Sequence, residues 1–169
     1  MRYSGDGTLL AVVCDGMAKG VIVVDAADGS LRQELVSTGP LVRHCVAWSA
    51  DDQILAVGDQ HAGHVRLRHR RDDVFTAGRT FAPPPSADEP DRDVPEDLAL
   101  SPDGTLLAAA YTYGDVHVWG IESGLHLCRL RGAQESLGSV VFVDDHRLAA
   151  AGGDVDAGPP VHLWTINAG

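Results

Sequence analysis

A chain of 169 residues with 44% hydrophobic and 22% charged content has enough apolar side chains for one packed domain, so composition excludes a disordered or fibrous polypeptide. Its 24 acidic against 13 basic residues give a formal charge of −11, which argues against nucleic acid or an anionic membrane as partner, because both require Lys and Arg to displace counterions. No apolar run approaches the roughly 20 residues that span a bilayer, and residues 1–7 lack the apolar core of a signal peptide; the expectation is a soluble chain with no membrane partner.

Glycine is abundant, at 19, and aromatic residues make up only 5%, which favours short, tightly turned strands over long helices. The first strong signal is Ser4-Gly-Asp-Gly-Thr-Leu-Leu-Ala-Val12, in which a turn sequence runs straight into an apolar strand. Val21-Ile-Val-Val24 follows as another strand, then Asp28-Gly29 as a turn, then Leu31 to Leu35 as a further strand. The order repeats. Ser49-Ala-Asp-Asp-Gln-Ile-Leu-Ala-Val57 leads to Val65-Arg-Leu-Arg68; Ser101-Pro-Asp-Gly-Thr-Leu-Leu-Ala-Ala109 leads to Val116-His-Val-Trp119, Ser123-Gly124 and Leu125 to Leu130. A last copy, one residue shorter, runs Val143-Asp-Asp-His-Arg-Leu-Ala-Ala150 and then Val161-His-Leu-Trp164.

The equivalent alanines Ala11, Ala56, Ala108 and Ala149 are spaced by 45, 52 and 41 residues, near the period of about 40–45 that marks four-stranded propeller blades. The expected fold class is therefore all-β: a partial β-propeller of about four blades, each a four-stranded antiparallel sheet, with the first and last blades incomplete. The chain forms one domain, 1–169, with blades at about 1–36, 43–81, 97–131 and 138–166 and an acidic, proline-rich interblade loop at 82–97.

These residues resemble the WD-repeat propeller family, most closely at Leu98-Ala-Leu-Ser-Pro-Asp-Gly-Thr-Leu-Leu-Ala108, Val116-His-Val-Trp119 and Glu122-Ser-Gly124. The resemblance covers nearly the whole chain and implies a scaffold architecture, not a chemistry. Trp119 and Trp164 are followed by Gly120 and Thr165 where the family often has Asp, and Tyr113 and Gly158 stand where many members carry a turn Asp. Four blades is the low end for a propeller, so three arrangements follow: a fragment of a larger propeller, which is favoured, two copies closing an eight-bladed ring, or a compact monomer. Open blade edges with unpaired backbone groups would favour self-association.

The side chains capable of chemistry point to no site. Cys14, Cys45 and Cys128 are far apart and odd in number, which fits reduced, buried, inert thiols and a cytoplasmic setting. His61 and His64, and the repeat-equivalent His117 and His162, lack the spacing of a metal motif and read as surface or groove residues. Asp88, Glu89, Asp91, Asp93, Glu96 and Asp97 lack the pattern of a calcium loop, and Gly152-Gly153-Asp154 lacks the Lys and helix of a phosphate loop. Trp48, Trp119 and Trp164 read as blade packing. No catalytic, cofactor-binding or metal residue is assigned, and no cofactor is expected. The longer connections Asp15 to Lys19, Asp59 to Gly63 and Gly152 to Pro160 would gather on one rim as the working face. The function expected is a non-catalytic protein–protein interaction scaffold; the alternative is a fragment of a propeller enzyme or small-molecule-binding propeller whose site needs further blades.

Overall fold

The computed structural model describes residues 1–14, 20–35, 44–59, 63–85, 93–132, 137–152 and 161–166. Fifteen strands form four antiparallel sheets, and there is no helix among the described residues. The first blade is β1 (Arg2–Tyr3), β2 (Leu9–Val13), β3 (Val21–Asp25) and β4 (Leu31–Leu35). The second is β5 (His44–Trp48), β6 (Ile54–Asp59), β7 (His64–Arg71) and β8 (Val74–Phe81). The third is β9 (Pro95–Leu100), β10 (Leu106–Tyr111), β11 (Asp115–Gly120) and β12 (His126–Arg131). The fourth has three strands, β13 (Leu137–Phe142), β14 (Arg147–Gly152) and β15 (Val161–Thr165). Within every blade, strands pair in chain order as a meander, which gives a propeller arrangement of four blades.

Strand β9 begins at Pro95, so the last three residues of the segment 82–97 belong to the third blade and not to an interblade loop. Proline is tolerated there because the first residue of a strand need not donate to the ladder. The long second step has another contributor, since β7 and β8 are eight residues each where β11 and β12 are six.

Strand alternation sends side chains to two faces, and among the described residues the second and third blades pack a face on each neighbour while the first and fourth pack one face only. The core is therefore three apolar layers between blades. Leu9, Ala11, Val21 and Val23 of the first blade meet Val46, Leu55 and Phe75 of the second. Ala56, Val65 and Leu67 meet Leu98, Leu107, Tyr111 and Trp119 of the third. Leu106, Ala108, Val116 and Val118 meet Val140, Phe142, Leu148 and Ala150 of the fourth. Within the second blade β6 runs close to β5 at Gly58, where an added Cβ would sit 2.3 Å from Cys45 Sγ.

Candidate binding surface

The repeated Ser-x-Asp turn is a lock built three times over. Ser4, Ser49 and Ser101 are buried, and each donates its hydroxyl to the Asp two residues on, at 2.7 Å to Asp6, 2.6 Å to Asp51 and 2.6 Å to Asp103. Each hydroxyl oxygen also accepts the backbone N–H five residues on, from Leu9, Ile54 and Leu106, at 2.9 Å in all three. The carboxylates take backbone N–H groups from Thr8, Gln53 and Thr105. Bonds to the charged form favour it. The Thr8 N–H, followed by the Ser4 and Thr8 hydroxyls, holds Asp6 down at about 2. The Ser49 hydroxyl does the same for Asp51 and the Ser101 hydroxyl for Asp103, each lowered from the usual carboxylate range. A serine beside a carboxylate looks like a nucleophile with its base, but these hydroxyls are committed on both sides, and so weak a base is a poor proton acceptor.

The residue after that Asp has φ near +60° to +70°: Gly7 at 70°, Asp52 at 58° and Gly104 at 72°. At the second blade the non-glycine choice serves the neighbour. The Asp52 carboxylate accepts the backbone N–H of Gly5 at 2.5 Å and of Asp6 at 2.9 Å, tying the second blade's turn to the first's. Asp145 repeats the device by accepting the Asp103 N–H at 2.9 Å, joining fourth blade to third. Between second and third, where Gly104 has no side chain to offer, Arg79 instead donates to the carbonyls of Ser123 at 3.2 Å and Glu122 at 3.1 Å.

The innermost strands β1, β5, β9 and β13 wall a recess of about 400 Å³, with Tyr3, Trp48, Leu98, Ser139 and Val141 among its lining. Next to its lining residue Leu98, Asp97 is buried and accepts from Val140 N at 3.0 Å, Ser139 Oγ at 3.3 Å and Arg2 Nη2 at 3.3 Å. One carboxylate thus links the third blade to the fourth and to the first. Trp48 Nε1 donates to the Arg2 carbonyl at 3.1 Å and closes the same region. The recess offers a guanidinium, an indole and strand backbone on a rigid frame, which suits recognition of a surface more than a reaction.

The histidines differ from expectation. His117 is 1% exposed, not a surface residue, because β11 is covered on both faces. Its Nδ1 lies 2.8 Å from His126 Nε2, and it stacks on Trp119 with Tyr111 at its edge. Burial, reinforced by His126, pushes His117 down to about 4, so the ring is neutral at pH 7. His126 is lowered by burial as well. His61 lies outside the described residues and His64 is on β7. Among the described residues no cluster of His, Cys, Asp and Glu could hold a metal ion.

Of the acidic segment, Asp88, Glu89 and Asp91 lie outside the described residues, while the other three are engaged in the third blade. Asp93 accepts the Tyr113 N–H at 3.3 Å, Glu96 accepts from Thr112 Oγ1 at 3.1 Å, and Asp97 is the central link already described. Cys45 is buried, and burial followed by Asp97 pushes its thiol far up, so it is inert. Cys14 and Cys128 are only half-buried, which corrects the expectation for those two; burial raises Cys128. The three tryptophans each pack between adjacent blades: Trp48 edge-on to Phe75, Trp119 in the second layer and Trp164 against the third. Most of the residues in the long connections 15–19, 59–63 and 152–160 lie outside the described residues, as do Gly153 and Asp154. The sequence did not reveal the interblade links of Asp52, Asp97 and Asp145; Asp52 and Asp145 had one signal, each being the second Asp of an Asp-Asp pair, and Asp97 had none.

No family model and no curated protein sequence matches the chain, so the likeness is carried by structure. The β-propeller domain of Myceliophteria thermophila Cps50 (Swd1) aligns with TM-score 0.75 and 16% identity over 98% of this chain and 53% of that one. The structure of U3-55K aligns with TM-score 0.77 and 19% identity over 98% and 47%, and the WD40 repeats of RRP9 with 0.76 and 19% over the same shares. A structure of the Mitotic Checkpoint Complex contains a further match, TM-score 0.73 and 22% identity over 96% and 44%. The chain spans about half the length of the chains it matches. With the four-blade meander, the Ser-Asp turns and these alignments together, the fold is that of a WD40 β-propeller.

Proposed function

We propose that the chain is a non-catalytic protein-interaction scaffold of the cytoplasm, which holds a partner protein at the axial recess and the blade rims around it. One observation carries this reading: the side chains with chemical potential, namely the Ser–Asp pairs, His117, Cys45 and Asp97, are spent on joining strands and blades. What is left for a partner is a rigid concave wall assembled from four inner strands. A similar structure recorded within the Mitotic Checkpoint Complex fits such a role. Free thiols fit a reducing compartment.

The test uses two variants that fill the recess from one exposed position, Ala50→Arg and Ala50→Trp. Proteins retained by the immobilised chain from an extract of its source would be identified, and the affinity of each recovered protein measured by calorimetry. Saturable binding that weakens by about tenfold or more in both variants, with unchanged melting temperature, is expected. Equal binding by the variants, or no saturable binding at all, would overturn the reading.

A further inference from the structure

The registers of the four blades repeat row by row. On the side of each blade that faces the preceding one, a row of large side chains crosses the three inner strands: Trp48, Leu55 and Arg68 in the second blade, Leu100, Leu107 and Trp119 in the third, Phe142, Leu148 and Trp164 in the fourth. On the side facing the following blade the row is small or branched: Ala11 and Val23 in the first, Ala47, Ala56 and Leu67 in the second, Ala99, Ala108 and Val118 in the third. Each interblade layer seats a large row on a small one, which is how interdigitated packing reaches native density.

Two rows have no blade against them among the described residues. The fourth blade ends on Val141, Ala149 and Leu163 in register, with Val161 beside them, and Val141, Val161 and Leu163 are 55%, 51% and 62% exposed. Their equivalents in the third blade, including Val116 and Val118, are fully buried by the fourth. The first blade begins on Tyr3, Leu10 and Val24 in register, with Val12 and Ile22 beside them, and Tyr3 is exposed. That is a large row of the leading kind. What stands open is a pair of sheet faces and not, as the sequence led one to expect, only strand edges, because blades stack face to face. The single chain therefore carries both halves of one more interblade layer.

We infer that the open faces are covered by a second copy of this chain, joined head to tail so that Tyr3, Leu10 and Val24 of each copy seat on Val141, Ala149 and Leu163 of the other. Two such contacts related by a twofold axis close the assembly with eight blades and leave no face exposed. The lengths agree with this: the chain spans 53% of the Cps50 propeller-domain chain and 47% of the U3-55K chain, so two copies together match about the length of one such chain. The recess then becomes a closed axial channel walled by the inner strands of both copies. The inference goes beyond the scaffold role and does not depend on it.

Light scattering after size exclusion, from micromolar to submillimolar protein, tests it with Leu163→Glu and Ile22→Glu. Each variant places a charge in one face only, and both should dissociate the pair, raising its dissociation constant by about 100-fold or more. An equimolar mixture of the two variants should recover an open heterodimer through the one intact contact. Circular dichroism establishes that each variant is folded; if either is not, cross-linking a Val24→Cys chain to a Leu163→Cys chain reads the same contact. A folded wild-type monomer at all concentrations would overturn the inference, pointing to blades of a longer polypeptide as the cover. So would a dimer sensitive to Leu163→Glu alone, which means like faces meet, or a mass growing beyond two copies, which means the contact does not close.

Discussion

The third and fourth blades have nearly the same sequence pattern and very different surroundings. Val116-His-Val-Trp119 and Val161-His-Leu-Trp164 occupy equivalent strands, yet β11 is buried along almost its whole length and β15 alternates between exposed and half-buried. Stacking accounts for the difference: among the described residues the third blade has a neighbour on both faces, the fourth on one. Repetition in a solenoid-like array writes the same face twice and lets position decide what it is worth.

The sharpest way to break this comparison is at the tryptophans. Trp119→Ala removes a side chain that is 1% exposed and leaves a cavity between second and third blades, so a loss of about 3–5 kcal/mol is expected. Trp164→Ala, at the half-buried equivalent, should cost well under half of that, about 1–2 kcal/mol. Urea unfolding of both variants reads the ratio; equal losses would mean that Trp164 is enclosed against the third blade as fully as Trp119 is against the second.

Next in size is Asp97→Ala, which strips the Val140 N–H of its partner and frees Ser139 and Arg2. A buried donor left unpaired costs about 1–3 kcal/mol. Because the lost bonds cross from third blade to fourth, amide exchange should speed up first in β13, while β2 and β3 stay protected. Uniform loss of protection would instead mean that the blades unfold as one unit.

The turns differ between the two blades as well. The third blade has the Ser101–Asp103 lock, whereas the fourth has Val143 at that place and Asp144 capping the N–H groups of His146 at 3.0 Å and Arg147 at 2.7 Å across a turn one residue shorter. Ser101→Ala should cost about 1–2 kcal/mol through the orphaned Leu106 N–H. Val143→Ser should give no gain, since the matching amide, Arg147 N–H, is already taken by Asp144, and thermal melts of the pair would decide it.

How much of this was legible follows from what strand periodicity can and cannot encode. The turns at Ser4, Ser49 and Ser101, the strands at Val21, Val65, Val116 and Val161, and the fourth strand Leu31–Leu35 were readable because Asp-Gly turns and apolar runs are local signals. Alternation correctly set His117 opposite Val116 and Val118. It could not say that a second blade lay over that face, so a buried histidine read as a surface one. The roles of Asp52, Asp97 and Asp145 were hidden for the same reason, since their partners are 46, 43 and 42 residues away in sequence.

His117 supplies the smallest effect and the one most specific to the doubly covered blade. Its folded value, about 4, lies below the 6.5 of an exposed imidazole, so the unfolded chain binds the extra proton first and stability falls as pH drops from about 6.5 to 4. Below that a second window opens, because Asp6, Asp51 and Asp103 are held low in the folded chain and their contribution, complete above about pH 4, is lost as pH falls toward the value of about 2 at Asp6. His117→Phe keeps an aromatic ring against Trp119 and Tyr111 but cannot take up a proton. The variant should therefore flatten the decline in melting temperature between pH 6.5 and 4 and leave the acid limb below pH 4 as it is. If the upper decline persists unchanged, the buried imidazole is not its source, and the second blade does not seal β11 from solvent as tightly as its packing implies.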